Sequence, residues 1–170
     1  QQAPDEFALN MDMPENLIPY LHRGNPLGLP TWLSRFDFVL DTQGRLRMVE
    51  INADTPCFLI ESYYANEVGA RYFDKEHPNE GARDELERFL KRVYERTSQE
   101  NSKYNTIKRG GANPFVFACF HDYLEDLGTT KFLMNTMKSA CPEADLRFLS
   151  FYDMVIDDEG ILLPDGSHAS

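Results

Sequence analysis

The stretch RFDFVLDTQGRLRMVEINADTPCF, residues 35–58, decides how the rest of the chain is read. Phe36, Phe38 and Leu40 alternate with Arg35, Asp37, Val39 and Asp41, the period-two pattern of a strand with one apolar face. Leu46, Met48, Val49 and Ile51 start a second strand, and Thr42-Gln43-Gly44 lies between the two. Two such runs across a short turn containing glycine predict a β-hairpin. The second strand then carries Glu50, Asn52 and Asp54 on alternating positions before Thr55-Pro56. Alternation puts these three oxygen-bearing side chains on one face.

Whether they meet Arg35 and Asp37 depends on the turn. A two-residue turn at Gln43-Gly44 sets Asp37 opposite Glu50, and a four-residue turn sets Arg35 opposite Glu50; both bring the polar sets to one face. A regular three-residue turn puts them on opposite faces. On a common face, two carboxylates and an amide suit Mg²⁺, a hard cation held by one or two protein carboxylates plus nucleotide phosphates. A neighbouring arginine suits the charge on transferring phosphoryl oxygens. Thr55 and Pro56 read as the N-cap and first position of a helix, whose free N–H groups could hold an anion. The plainer alternative is a solvated edge hairpin, with Arg35 paired to Glu50.

Downstream, CFLIESYYANEV (57–68) reads as a helix, and NEGARDELERFLKRVYER (79–96) as a surer one. Leu86, Phe89, Leu90, Val93 and Tyr94 form its apolar stripe, with Asp84/Arg88 and Glu87/Lys91 as supporting pairs. Residues 98–114 are polar and contain glycine, which predicts a linker. KRGGANP (108–114) lacks the spacing of a phosphate loop. FVFACF (115–120) reads as a strand buried on both faces. A helix from about Leu124 to Ala140 and a strand at 146–152 complete a βαβ unit with a parallel pair. Residues 153–163 read as a further hairpin turning at Asp158-Glu159-Gly160, and LLPDGSHAS then stops in turn residues. Tyr63, Tyr64 and the Phe/Met run at 132–137 are assigned to the core. The expected fold class is α/β, a mixed sheet in two lobes. Residues 1–97 hold the hairpin and helices, 98–114 link, and 115–170 form the βαβ lobe.

The formal charge of −11, from 28 acidic and 17 basic residues, repels phosphate backbones and anionic lipid. Nucleic acid and membrane surfaces are therefore poor partners. Apolar runs stay well short of the ~18 residues of a membrane span. Cys57, Cys119 and Cys141 are odd in number and far apart, which favours a reducing cytoplasm over a disulfide framework and excludes a thiolate zinc site. His22, His77, His121 and His168 show no metal-binding spacing.

The segment RFDFVLDTQGRLRMVEINADTPCFLIES resembles the signature hairpin of the glutathionylspermidine synthase family, with its order Arg-x-Asp, turn, Glu-x-Asn-x-Asp-Thr. The match is dense over residues 34–62 and weaker through FACFHDYLEDLGTTKFLM. Ile51 stands where an aromatic is often found, and Cys57 where some members carry serine. The resemblance implies an ATP-grasp carboxylate–amine ligase with an associated pre-ATP-grasp domain, using ATP and Mg²⁺. It implies that Arg35 contacts the ATP phosphates and stabilises the transition state. Asp37, Glu50 and Asn52 then hold Mg²⁺, with Asp37 also near the phosphates, while Asp54, Thr55 and Cys57 lie near a thiol-peptide or other carboxylate substrate. Glu125 and Asp126 are candidates for holding a polyamine or other amine, against the plain alternative that acids favour any helix start.

Further lysines, a mobile glycine-rich loop and another acidic metal ligand complete such ligases, and that set is missing here. The resemblance thus implies the pre-ATP-grasp-like portion of a larger enzyme, inactive alone. The rival expectation is a non-catalytic small-ligand or protein-binding module that keeps the hairpin as structure. An Mg²⁺ phosphoesterase would need a water-activating base that the residues do not supply.

Overall fold

The computed structural model describes residues 5–19, 33–53, 59–104, 114–157 and 160–169, with side chains in the long helix described as far as Gln99. These residues fall in two compact units, 1–55 and 56–170.

The first unit opens with a short helix, α1 (Asp5–Asn10), whose Ala8 is buried, and a 3₁₀ turn at Glu15–Leu17. Strands β1 (Ser34–Leu40) and β2 (Leu46–Ala53) then form an antiparallel hairpin. Its turn is the three-residue type: Asp41 N–H donates to the Arg45 carbonyl at 3.0 Å, leaving Thr42, Gln43 and Gly44 as the loop. Gly44 has φ +73°, the left-handed conformation that glycine enters without a steric cost. Asp41 braces the loop by accepting from the Gln43 and Arg45 N–H groups and from the Arg45 guanidinium.

In the second unit, the helix expected at 57–68 extends to Tyr72. A π-helical turn at Glu61–Ala65 leads directly into α2 (Asn66–Tyr72). The Thr55-Pro56 start expected for it lies outside the described residues. Helix α3 (Ala82–Tyr104) runs past the expected end at Arg96, so residues 98–104 of the expected linker are its last turns. Ser98, Gln99 and Glu100 are polar, but their backbone joins the helix already nucleated by the apolar stripe. Leu86, Leu90 and Val93 are the buried members of that stripe. Among the described residues, its ion pairs are Arg83–Glu87 and Glu85–Arg88, where the sequence suggested Asp84/Arg88 and Glu87/Lys91.

Strands β3 (Phe115–Cys119) and β4 (Leu146–Ser150) pair in parallel, joined through helix α4 (Leu124–Ala140). This is the expected βαβ unit. Helix α4 packs on both α3 and β3. Phe132, Thr136 and Met137 are its buried residues, and Thr136 donates its hydroxyl to the Phe132 carbonyl at 2.8 Å. Tyr63 and Tyr64 place their rings 5.3 and 6.1 Å from Phe132, but Tyr64, assigned to the core, is exposed at 47%, so its ring meets Phe132 from the surface. Gly128 makes room at this junction, since a Cβ there would stand 3.1 Å from Ile60 Cδ1.

Strand β3 is only half-buried except at Cys119, whereas its continuous apolar run predicted burial on both faces. Among the described residues it has one strand neighbour, β4, and so no sheet interior to occupy. After a 3₁₀ turn at Phe151–Asp153 come β5 (Val155–Asp157), β6 (Gly160–Leu162) and β7 (His168–Ala169) in one antiparallel sheet. The expected C-terminal turn is present at residues 164–167, but it returns the chain as β7, and Ala169 joins Leu149 and Leu163 in a buried cluster. The class is α/β, with its antiparallel and parallel pairs in separate small sheets rather than one mixed sheet.

Candidate functional site

The hairpin's pairing decides which side chains meet. Next to the turn the register follows the three-residue loop: Leu40 faces Leu46, Val39 faces Arg47 and Phe38 faces Met48. Continued regularly, it would set Asp37 opposite Val49 and turn Glu50 and Asn52 to the apolar face. The ladder instead shifts between Phe38 and Asp37, leaving Val49 as the extra residue of a β-bulge. Beyond it, Asp37 faces Glu50 and Arg35 faces Asn52. The pairing expected from a two-residue turn is thus reached by a three-residue turn plus one bulged residue. Directly opposed residues project from the same face, so Arg35, Asp37, Glu50 and Asn52 form one polar group.

Within that group Arg35 grips Asp37. Its Nε donates to Oδ1 at 2.8 Å and its Nη2 to Oδ2 at 3.0 Å. This two-point bond, more than the charge alone, holds the Asp37 carboxyl below its ordinary pKa. The pairing suggested from sequence joined Arg35 to Glu50; the neighbour two residues along the same strand takes the guanidinium instead. Glu50 is exposed and Asn52 half-buried. The Asn52 Nδ2 atom is buried and has no hydrogen-bond partner. An orphaned amide costs desolvation energy.

These are side chains of the kind that hold a hard cation. Asp37 and Glu50 supply carboxylate oxygens, the Asn52 amide can present its oxygen by a half-turn, and the remaining ligands of such ions are phosphates and water. Among the described residues no group of three or more His, Cys, Asp or Glu side chains could hold a metal by itself. Asp54, Thr55 and Cys57 lie outside the described residues.

In the second unit, the expected acidic pair sits where the sequence suggested. Glu125 and Asp126 occupy the first turn of α4, Glu125 exposed and Asp126 half-buried. Around them, at the carboxyl ends of β3 and β4, the structure gathers residues that sequence reasoning passed over. His121 Nδ1 lies 2.7 Å from Ser150 Oγ, and the Tyr152 hydroxyl donates to Asp122 at 3.0 Å. That bond raises the Tyr152 pKa. Phe120 packs its ring 5.0 Å from Phe151 and 5.2 Å from Tyr152. The available signal was the pair FHDY and SFYD, one after each strand of a βαβ unit, because ligands of open α/β sheets lie at such strand ends.

The family model for the glutathionylspermidine synthase pre-ATP-grasp domain matches residues 3–163. The chain belongs to this family. The glutathionylspermidine synthase family is one of ATP-dependent ligases acting on small molecules, which gives the chain a ligase-like origin. No curated protein matches the chain. Among the described residues no helix is long and apolar enough to cross a membrane.

Proposed function

We propose that this glutathionylspermidine synthase relative is part of an ATP- and Mg²⁺-dependent carboxylate–amine ligase. The observation that carries this reading is the bulge-corrected register, with Asp37 opposite Glu50 and Arg35 opposite Asn52. Asp37, Glu50 and Asn52 would hold Mg²⁺, which when bound neutralises charge on the ATP phosphates. Arg35 would donate to the transferring phosphoryl oxygens, the role suited to a planar guanidinium. Phosphorylation of a substrate carboxylate gives an acyl phosphate, and an amine displaces phosphate to leave the amide. Asp54, Thr55 and Cys57 would line the carboxylate substrate, a thiol peptide or similar acid. Glu125 and Asp126 would attract the amine, a polyamine or similar cation. Remaining nucleotide contacts come from outside these residues, so the chain alone is inactive. Free, buried Cys119 and Cys141 agree with a cytoplasmic setting.

One observation favours a second reading. The Arg35–Asp37 fork already pairs the two charges, as it would in a binding module that keeps the hairpin as structure. Glu50→Gln separates the two. In the full-length protein it should abolish Mg²⁺-dependent ADP release while melting temperature stays within about 2 °C, because surface substitutions usually move stability by less than ~0.5 kcal/mol. Undiminished ADP release would refute the ligase reading of the hairpin.

A further inference from the structure

The grip of Arg35 on Asp37 bears on how the polar group admits its ligands. Both oxygens of Asp37 accept from one guanidinium. Each oxygen keeps a second lone pair that a hard cation could use, but the bound guanidinium neutralises the carboxylate charge that would attract it. The guanidinium also places a positive charge where the cation would enter. Asp37 is thus masked by its partner's charge, while Glu50, directly across the ladder, remains exposed.

The mask is easily lifted. The two side chains keep about a third of their surface in solvent, 32% for Arg35 and 37% for Asp37, and ion pairs so exposed contribute little. A polyphosphate carries more charge than a carboxylate and accepts the same two-point donation from arginine.

We propose that Arg35 gates the cation site, holding Asp37 until nucleotide phosphates draw the guanidinium away, so that cation and nucleotide bind together. This rests on the hairpin being the Mg²⁺ and phosphate site. No bond is made or broken; one hydrogen-bonded pair is exchanged for another. The exchange makes binding reciprocal, since each ligand removes the obstacle to the other. Mg²⁺ alone binds weakly here, and the nucleotide alone gains Arg35 only by leaving Asp37 without its partner. The orphaned Asn52 amide, directly across from Arg35, is in position to report the event.

The test is Mn²⁺ titration of the full-length protein without nucleotide, followed by paramagnetic broadening of the Asn52 side-chain amide signal. Wild type, Arg35→Gln, Arg35→Lys and Glu50→Gln are compared. Arg35→Gln removes fork and charge, and should tighten Mn²⁺ binding about two- to five-fold, the scale of an exposed ion pair. Arg35→Lys keeps the charge without the fork and should fall between; it also serves if the glutamine variant does not fold. In both variants the enhancement of Mn²⁺ affinity by nucleotide should shrink. Unchanged or weaker Mn²⁺ binding in the Arg35 variants, with Glu50→Gln still weakening it, overturns the gate and leaves the metal site standing. If neither Arg35 nor Glu50 affects the broadening, the hairpin is not a cation site, and gate and proposed function fall together.

Discussion

In the hairpin, Phe36 and Phe38 stand about half exposed, at 49% and 50%, while in the β3–α4–β4 unit Phe132 and Met137 are covered to 8% and 1%. The two regions are similarly rich in apolar residues but use them differently. The second unit spends its aromatics on one another: Phe132 meets Tyr63 and Tyr64, and α4 lies against both α3 and β3. The hairpin is held by its ladder, a braced turn and a row of exposed ion pairs. One region owes its shape to packing, the other to pairing. A site built on pairing depends on residue count as much as on residue type.

The largest effect should come from breaking the packed region. Phe132→Ala removes the ring that both tyrosines contact, and should destabilise the second unit by about 3–5 kcal/mol in denaturant unfolding. The same substitution should leave the chemical shifts of Asp37 and Glu50 in place. A shift of those signals as large as that in the core would erase the contrast between the regions.

The next effect belongs to the turn. Gly44→Val forces a β-branched residue to φ +73°, and should cost about 1–2 kcal/mol of hairpin stability by hydrogen exchange of the β1 and β2 amides. No loss would mean that the turn does not set the register.

Deleting Val49 sharpens the comparison with a smaller disturbance. The deletion turns the bulge into a regular ladder in which Asp37 still faces Glu50, so cross-strand nuclear Overhauser contacts between those residues should persist. Their disappearance would show that the bulge does more than supply one extra residue.

The smallest effect is in acid titration. The Asp41 carboxyl is lowered first by the Arg45 N–H and Asp165 first by the Ser167 hydroxyl, both from an ordinary 3.8. A depressed pKa contributes stability that is present above the unfolded value and lost as pH falls through the folded one. Carboxyl resonances of both residues should therefore titrate below 3.8. Ser167→Ala should raise the Asp165 midpoint and leave Asp41 untouched; movement of both would couple turns that the comparison keeps apart.

Much of this molecule is legible from residue order alone. The alternation of Phe36, Phe38 and Leu40 marked β1, the stripe of Leu86, Leu90 and Val93 marked α3, and α4 spans Leu124–Ala140 as the pattern before Pro142 suggested. These features are local: period and propensity act within a few residues. The identities of the polar group at Arg35, Asp37, Glu50 and Asn52 were legible in the same way.

Their meeting was not. Sequence spacing left two-, three- and four-residue turns open, and the three-residue turn that formed would by itself have separated the two polar pairs. The bulge at Val49 reversed that outcome, because one unpaired residue flips every side chain beyond it. The half-exposure of β3 and the return of the C-terminal residues as β7 were likewise decided by what stood across the ladder. Residue order determined which groups this protein carries and on what local periods. Pairing between distant segments decided which of them face one another.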